Sequence, residues 1–187
     1  MFSFERNDNV LHVLVYIDDL IIAGNNSEAI ANFKAYLSTC FYMRDLGVVK
    51  YFLGIEISRG LKGLLLSQRK HALNIISESG LLGMKPCEFP MEQNHQLALD
   101  TGPDFAHPDQ YWRLVGRLIY LTITRPELCY AVHILAQFLQ CPKMAHWNVA
   151  LRVGRYLKNN PGQGLLLQRD SACILMFIVT LIGLLAL

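Results

Sequence analysis

Two adjacent carboxylates, Asp18 and Asp19, stand between the apolar runs VLHVLVYI (residues 10–17) and LIIAG (residues 20–24). Both runs are apolar on either face, the pattern of a buried β-hairpin hinged on the acidic pair. Tight hairpin turns favour Asn-Gly or Asp-Gly, and like charges side by side repel, so Asp-Asp is a poor structural choice there. A hard cation relieves the repulsion: Mg²⁺ takes carboxylate oxygens and leaves coordination positions for substrate phosphates. The pair reads as half of a two-metal phosphoryl-transfer site, against the plainer reading of a solvated acidic turn.

The neighbouring elements must hold that hairpin. Ser27 is placed to cap a helix, with Glu28 at its positive end and Ile30, Phe33, Leu37 and Cys40 or Phe41 recurring on one side. A second hairpin is predicted from VVKYFLGIEISR (residues 48–59) and LLLS (residues 64–67), turning at Gly60 to Gly63. Ser67 then caps a short helix with Ala72, Leu73 and Ile76 inward, stopped by Gly80. Pro86, Pro90, Pro103 and Pro108 punctuate a stretch without apolar period, which predicts a linker. Three helices should follow. Tyr111, Leu114, Val115, Leu118 and Leu121 stripe the first; Leu128, Val132, Leu135 and Leu139 stripe the second, which Thr124 and Glu127 open with capping-box spacing; Trp147, Leu151, Gly154 and Leu157 line the third.

Composition narrows the class. At 187 residues with 52% hydrophobic and 17% charged side chains, the chain is not disordered, and its surface should be apolar enough to want cover. Lys+Arg of 17 against Asp+Glu of 15 excludes a protein that coats polyanions along its whole length, though not local basic faces. The five cysteines are odd in number and dispersed, and no secretory signal opens the sequence, so a reduced intracellular chain, cytoplasmic or nuclear, is expected. Cys129, His133, Cys141 and His146 lack the paired spacings of a zinc site, and Gly60 and Gly63 do not make a phosphate loop, so no small-molecule cofactor is expected. The uncharged tail from Ala172 to Leu187 falls short of the about 20 residues a spanning helix needs, so a membrane anchor is the minor reading.

The segment YIDDLIIAG (residues 16–24) resembles the catalytic hairpin of reverse transcriptases. Further blocks resemble one branch, the Pol polyproteins of copia-type retrotransposons: DLG (45–47), KYFLGIE (50–56), LSQRK (66–70), YWRLVG (111–116), LIYL (118–121), TRPE (124–127), HW (146–147) and RYLK (155–158). They run in order over residues 9–168. The resemblance implies an α+β fold: a partial polymerase palm at 1–84, a proline-rich linker at 85–107, a helical thumb and connection region at 108–168, and an apolar tail at 169–187. It implies RNA-directed DNA polymerisation with Mg²⁺, in which Asp18 and Asp19 are catalytic and metal-binding, Asp18 the more direct ligand. Tyr16 would lie beside the primer end, and Phe52, Leu53 and Gly54 in a primer-gripping hairpin. Arg113 and Arg117, at i and i+4, and Arg152, Arg155 and Lys158, on consecutive turns, are the cations expected on the backbone of an RNA/DNA template-primer duplex.

A further metal-binding Asp and the nucleotide-binding fingers, both expected upstream of the hairpin, are missing, so the isolated chain should be inactive and the missing N-terminal palm and fingers its natural partner. A non-catalytic nucleic-acid- or protein-binding remnant is the alternative. Met1 reads as an internal methionine of a longer frame. Rereading the codons of the tail in another frame allows a string similar to the opening of a ribonuclease H domain, which predicts a frameshift between Gln168 and Phe177.

Overall fold

The computed structural model of the chain describes residues 1–6, 8–92, 97, 101–169 and 178–184. It is a mixed α and β protein, as expected, with two compact units. The first holds residues 1–53, 57–64 and 167–187, and the second holds 54–56 and 65–166.

Unit 1 is built on a five-stranded sheet. β1 (Phe2–Arg6), β2 (Asn9–Tyr16) and β3 (Asp19–Gly24) form an antiparallel meander with Val13 opposite Ile22 and Tyr16 opposite Asp19. Burial alternates along β3, where Leu20 and Ile22 point inward, because successive side chains leave opposite faces of a strand. The helix α1 (Ser27–Cys40) packs on that face through Ile30, Phe33 and Leu37. Its cap is Asn26 rather than Ser27: the Asn26 Oδ1 accepts the N–H groups of Glu28 (2.9 Å) and Ala29 (3.2 Å). Cys40 and Phe41 are exposed, since the stripe ends where the helix does. β4 (Met43–Val48) is the far edge, and the sheet order is β1-β2-β3-β9-β4.

The strand β9 (Ile178–Leu184) comes from the apolar tail and lies antiparallel to both β3 and β4, with Gly183 opposite Asp19. An uncharged, β-branched sequence suits a strand with neighbours on both sides. Among the described residues no helix is long and apolar enough to cross a membrane. The expected frameshift junction falls mostly on residues 170–177, outside those described.

A second sheet has the order β5 (Tyr51–Phe52), β6 (Ile55–Gly60), β7 (Gly63–Ser67), β8 (Gly164–Gln168). The last three strands contribute residues to both units.

Unit 2 is helical. α2 (Arg69–Glu78), α3 (Pro108–Leu121), α4 (Cys129–Ala136) and α5 (Met144–Leu157) share one core. All five stripe residues of α3 are buried in it, Tyr111 with its hydroxyl donating to Leu135 O at 2.7 Å. Burial pushes the Tyr111 phenol far above its ordinary pKa, so it stays protonated and keeps the proton it donates. In α2 the inward residues are Ala72, Ile75 and Ile76, while Leu73 is exposed, and Gln68 rather than Ser67 is the cap position. The Thr124–Glu127 capping box does not form. Pro126–Leu128 makes a 3₁₀ turn ahead of α4, and both polar side chains of the motif have other partners.

The proline-rich stretch is part of unit 2. Met91, Leu97 and Phe105 enter the core, Phe105 N–H donates to Pro142 O (2.8 Å), and Pro103 O accepts from Met144 N–H (3.0 Å). Among its described residues these ties are isolated core side chains and main-chain bonds, which leave no periodic signal in the sequence.

Candidate functional site

The β2–β3 hairpin closes through two residues, Ile17 and Asp18, so the turn lies one position earlier than the acidic pair suggested and Asp19 begins a strand. Ile17 takes φ +53°, and Asp18 has no positive φ, the order of signs in a type II′ turn. Glycine is the usual residue there, and a β-branched side chain in the left-handed region costs about 1–2 kcal/mol. Ile17 is 81% exposed, so its burial offsets none of that cost. The result is an exposed Asp18 carboxylate at the tip, a half-buried Asp19 on the strand, and an exposed Tyr16 across the register from Asp19. The strain holds a carboxylate outward in place of a relaxed turn.

Two oxygen-bearing side chains suit a partial Mg²⁺ shell, because Mg²⁺ takes one or two carboxylates and completes its shell with water and phosphate. Among the described residues no group of three His, Cys, Asp or Glu is placed to hold a metal ion, so no third ligand joins the pair.

At the next turn Leu53 and Gly54 both have positive φ, +47° and +78°, as a two-residue type I′ hairpin requires. Phe52 is buried and Leu53 is partly exposed at 38%. A side chain at Gly54 would press on the Tyr120 hydroxyl, 3.3 Å from the Cβ position, so glycine answers two demands there.

Four of the five expected nucleic-acid cations have partners within unit 2. Lys158 Nζ donates to Leu81 O, Leu82 O and Met84 O at 2.9, 2.8 and 2.5 Å, which uses all three ammonium protons. Arg155 Nε donates to Lys85 O (2.8 Å), and Arg152 pairs with Glu92 (2.6 Å). Asn159 adds a bond to Cys87 O. This face of α5 clamps the chain that follows α2. Arg117 pairs with Glu78 at 2.6 Å, and Arg113 has no side-chain partner among the described residues.

The TRPE and LSQRK blocks meet inside unit 2. Arg125 is 1% exposed and donates to Glu127 Oε1 (2.5 Å) and Asn160 O (2.9 Å), with its guanidinium 5.9 Å from the Tyr156 ring. The Thr124 hydroxyl donates to Gln68 Oε1 (2.8 Å), while the buried Gln68 Nε2 has no partner among the described residues. A buried guanidinium must be paired. Gln68, Thr124 and Arg125 therefore serve the interior, while Arg69 and Lys70 are exposed, and only the place of the three in otherwise apolar surroundings hinted at this. His146 is likewise structural: its Nδ1 accepts from Lys143 N–H (2.9 Å), which fixes the proton on Nε2, donated to Leu97 O (3.2 Å).

Comparison with known proteins identifies the family. The reverse transcriptase (RNA-dependent DNA polymerase) family matches residues 1–93. The Retrovirus-related Pol polyprotein from transposon RE2 of Arabidopsis thaliana is 37% identical over 171 residues, 91% of this chain and 12% of that polyprotein. The corresponding polyprotein from transposon TNT 1-94 of Nicotiana tabacum is 31% identical over 168 residues, 85% of this chain and 13% of its own length. An uncharacterized mitochondrial protein of Arabidopsis thaliana is 37% identical over 163 residues, 86% of this chain and 67% of that protein. The chain thus spans about an eighth of the length of these two polyproteins. No solved structure matches it. On these matches and the blocks that carry them, the chain belongs to the reverse transcriptase family of copia-type retrotransposon Pol polyproteins.

Proposed function

We propose that this chain is a fragment of an RNA-directed DNA polymerase, carrying the hairpin carboxylates of the active site and the helices that hold a template-primer duplex, and that it does not polymerise by itself. Residues 1–84 supply palm elements and residues 108–168 thumb and connection elements. The observation that carries the reading is the hairpin tip, where the turn at Ile17 presents Asp18 to solvent beside Asp19.

In this reading Asp18 and Asp19 hold Mg²⁺ at the site, Asp18 the more directly. The chemistry that the ion supplies is charge neutralisation on phosphoryl oxygens and activation of the attacking hydroxyl. Tyr16 lies beside the primer end, on the strand paired with Asp19, and Phe52, Leu53 and Gly54 form the primer-gripping turn. The nucleic-acid backbone goes to Arg113, which has no side-chain partner among the described residues, and to Arg117 and Arg152, whose carboxylate partners are exposed, rather than to Arg155 and Lys158, which are bonded to main-chain carbonyls. The parent polyprotein supplies the remaining ligands and the nucleotide-binding surface.

Primer extension tests this. With a primed RNA or DNA template and Mg²⁺ or Mn²⁺, the purified chain should incorporate no nucleotides. Template-dependent incorporation that disappears in Asp18→Ala overturns the claim of inactivity.

A further inference from the structure

A recess of about 220 Å³ opens in unit 2, lined by Glu78 and Ser79 at the end of α2, Gln110, Arg113 and Arg117 on α3, and Trp147 on α5. It is smaller than the about 300–1,000 Å³ of pockets that enclose whole small molecules, so it suits a chemical group rather than a complete ligand. Its lining bears two guanidiniums one helical turn apart against one carboxylate, a net positive charge, together with a hydroxyl and an amide. Arg117 is 31% exposed and its partner Glu78 52% exposed, so the ion pair is wet and readily exchanged. Arg113 lines the same recess without a side-chain partner among the described residues. Trp147 is steadied by stacking on Phe105 at 4.7 Å, which gives the recess one rigid wall.

We infer that this recess seats one phosphate group, bound by Arg113 and Arg117, with Glu78 as a counter-ion that holds Arg117 in place until the phosphate displaces it. Guanidinium forks match the geometry of phosphate oxygens, and two of them at i and i+4 can embrace one tetrahedral anion. The phosphate is a phosphodiester of nucleic acid, which rests on the proposed function, or a free anion of the same chemistry. Glu78 then sets the affinity: it organises Arg117 in the empty recess and competes with the incoming charge.

Two arms of one experiment separate these sources. In the first, a labelled DNA or RNA–DNA duplex is titrated with the full chain and followed by fluorescence anisotropy at several salt concentrations. Arg113→Ala should weaken binding about tenfold and lower the slope of log affinity against log salt by about one, without regard to sequence. Glu78→Gln should strengthen binding about threefold, in proportion to a wet ion pair. Lys34→Ala, which removes the same charge from unit 1, should leave affinity unchanged. If the chain binds duplex, equal losses in Arg113→Ala and Lys34→Ala, or no gain in Glu78→Gln, overturn the proposal.

In the second arm inorganic phosphate is titrated into Trp112→Phe, so that Trp147 alone reports. A saturable change in its emission that vanishes in Trp112→Phe/Arg113→Ala supports the recess, even if the chain binds no duplex. In that case the nucleic-acid reading fails and the phosphate site stands. No response to phosphate together with duplex affinity indifferent to Arg113 overturns the site while the nucleic-acid reading survives.

Discussion

Unit 1 and unit 2 each contain a short polar motif set in apolar sequence, and they use it in opposite ways. In unit 1 the Asp18-Asp19 pair stands on a strained turn, one carboxylate exposed and neither matched by a third ligand among the described residues. In unit 2 the Thr124–Glu127 motif is drawn inside, where Arg125 has partners on Glu127 and Asn160 and Thr124 on Gln68. A carboxylate left to solvent at the expense of backbone strain is available to a ligand. A guanidinium buried to 1% exposure and bonded on two sides is available to nothing but the fold. The same contrast divides the cations, since Arg155 and Lys158 are bonded to main-chain carbonyls behind α2 while Arg113 and Arg117 face a recess.

The contrast can be broken first at Arg125. Arg125→Met should cost about 2–4 kcal/mol, because it removes two charge-assisted bonds, to Glu127 and to the Asn160 carbonyl, from a buried site. Against a total stability of about 5–15 kcal/mol, that change shows as a fall in the urea midpoint large enough to unfold much of unit 2. Survival of the midpoint would remove the structural role given to the motif. Lys158→Met, which keeps the stem and deletes three charge-assisted bonds, should cost about 1.5–3 kcal/mol in the same titration. It should also raise amide hydrogen exchange around residues 81–87. A phosphate-binding lysine would instead leave stability alone and lower affinity. The smallest effect is expected at the hairpin, where Ile17→Gly relieves the left-handed strain but adds freedom to the unfolded chain, for a net gain of at most about 1 kcal/mol. A loss of stability there would mean that the turn is not strained.

Periodicity made the apolar half of the fold readable. The stripe of Tyr111, Leu114, Val115, Leu118 and Leu121 lies wholly in the core, because a 3.6-residue repeat admits one buried face. Signals resting on one residue slipped by one: Asn26 and Ser27 are both good caps, and only the chain path decides between them. The turn moved likewise from Asp18-Asp19 to Ile17-Asp18, since nothing in residue type announces an isoleucine at positive φ. Least legible was the proline-rich stretch. Bonds run to it from Arg155 and Asn159, on the Lys85 and Cys87 carbonyls some 70 residues earlier, and carbonyls carry no side-chain signature. Glu78 and Trp147 escaped for a similar reason, being remote in sequence from the two arginines they flank. The acidic pair itself was legible because it violated the preferences of a tight turn.

The most direct measurement is a Mn²⁺ titration, by calorimetry or by the spin-resonance signal of the free ion, on the full chain and on Asp18→Asn, with the urea midpoint of each protein recorded alongside. The expected result is weak binding by the parent that disappears in Asp18→Asn, with a midpoint shift worth no more than about 0.5 kcal/mol, as at a surface site without a structural role. Undiminished Mn²⁺ binding in Asp18→Asn, or a loss of stability approaching that of Arg125→Met, would contradict the assignment of the exposed pair to metal and the buried motif to the fold.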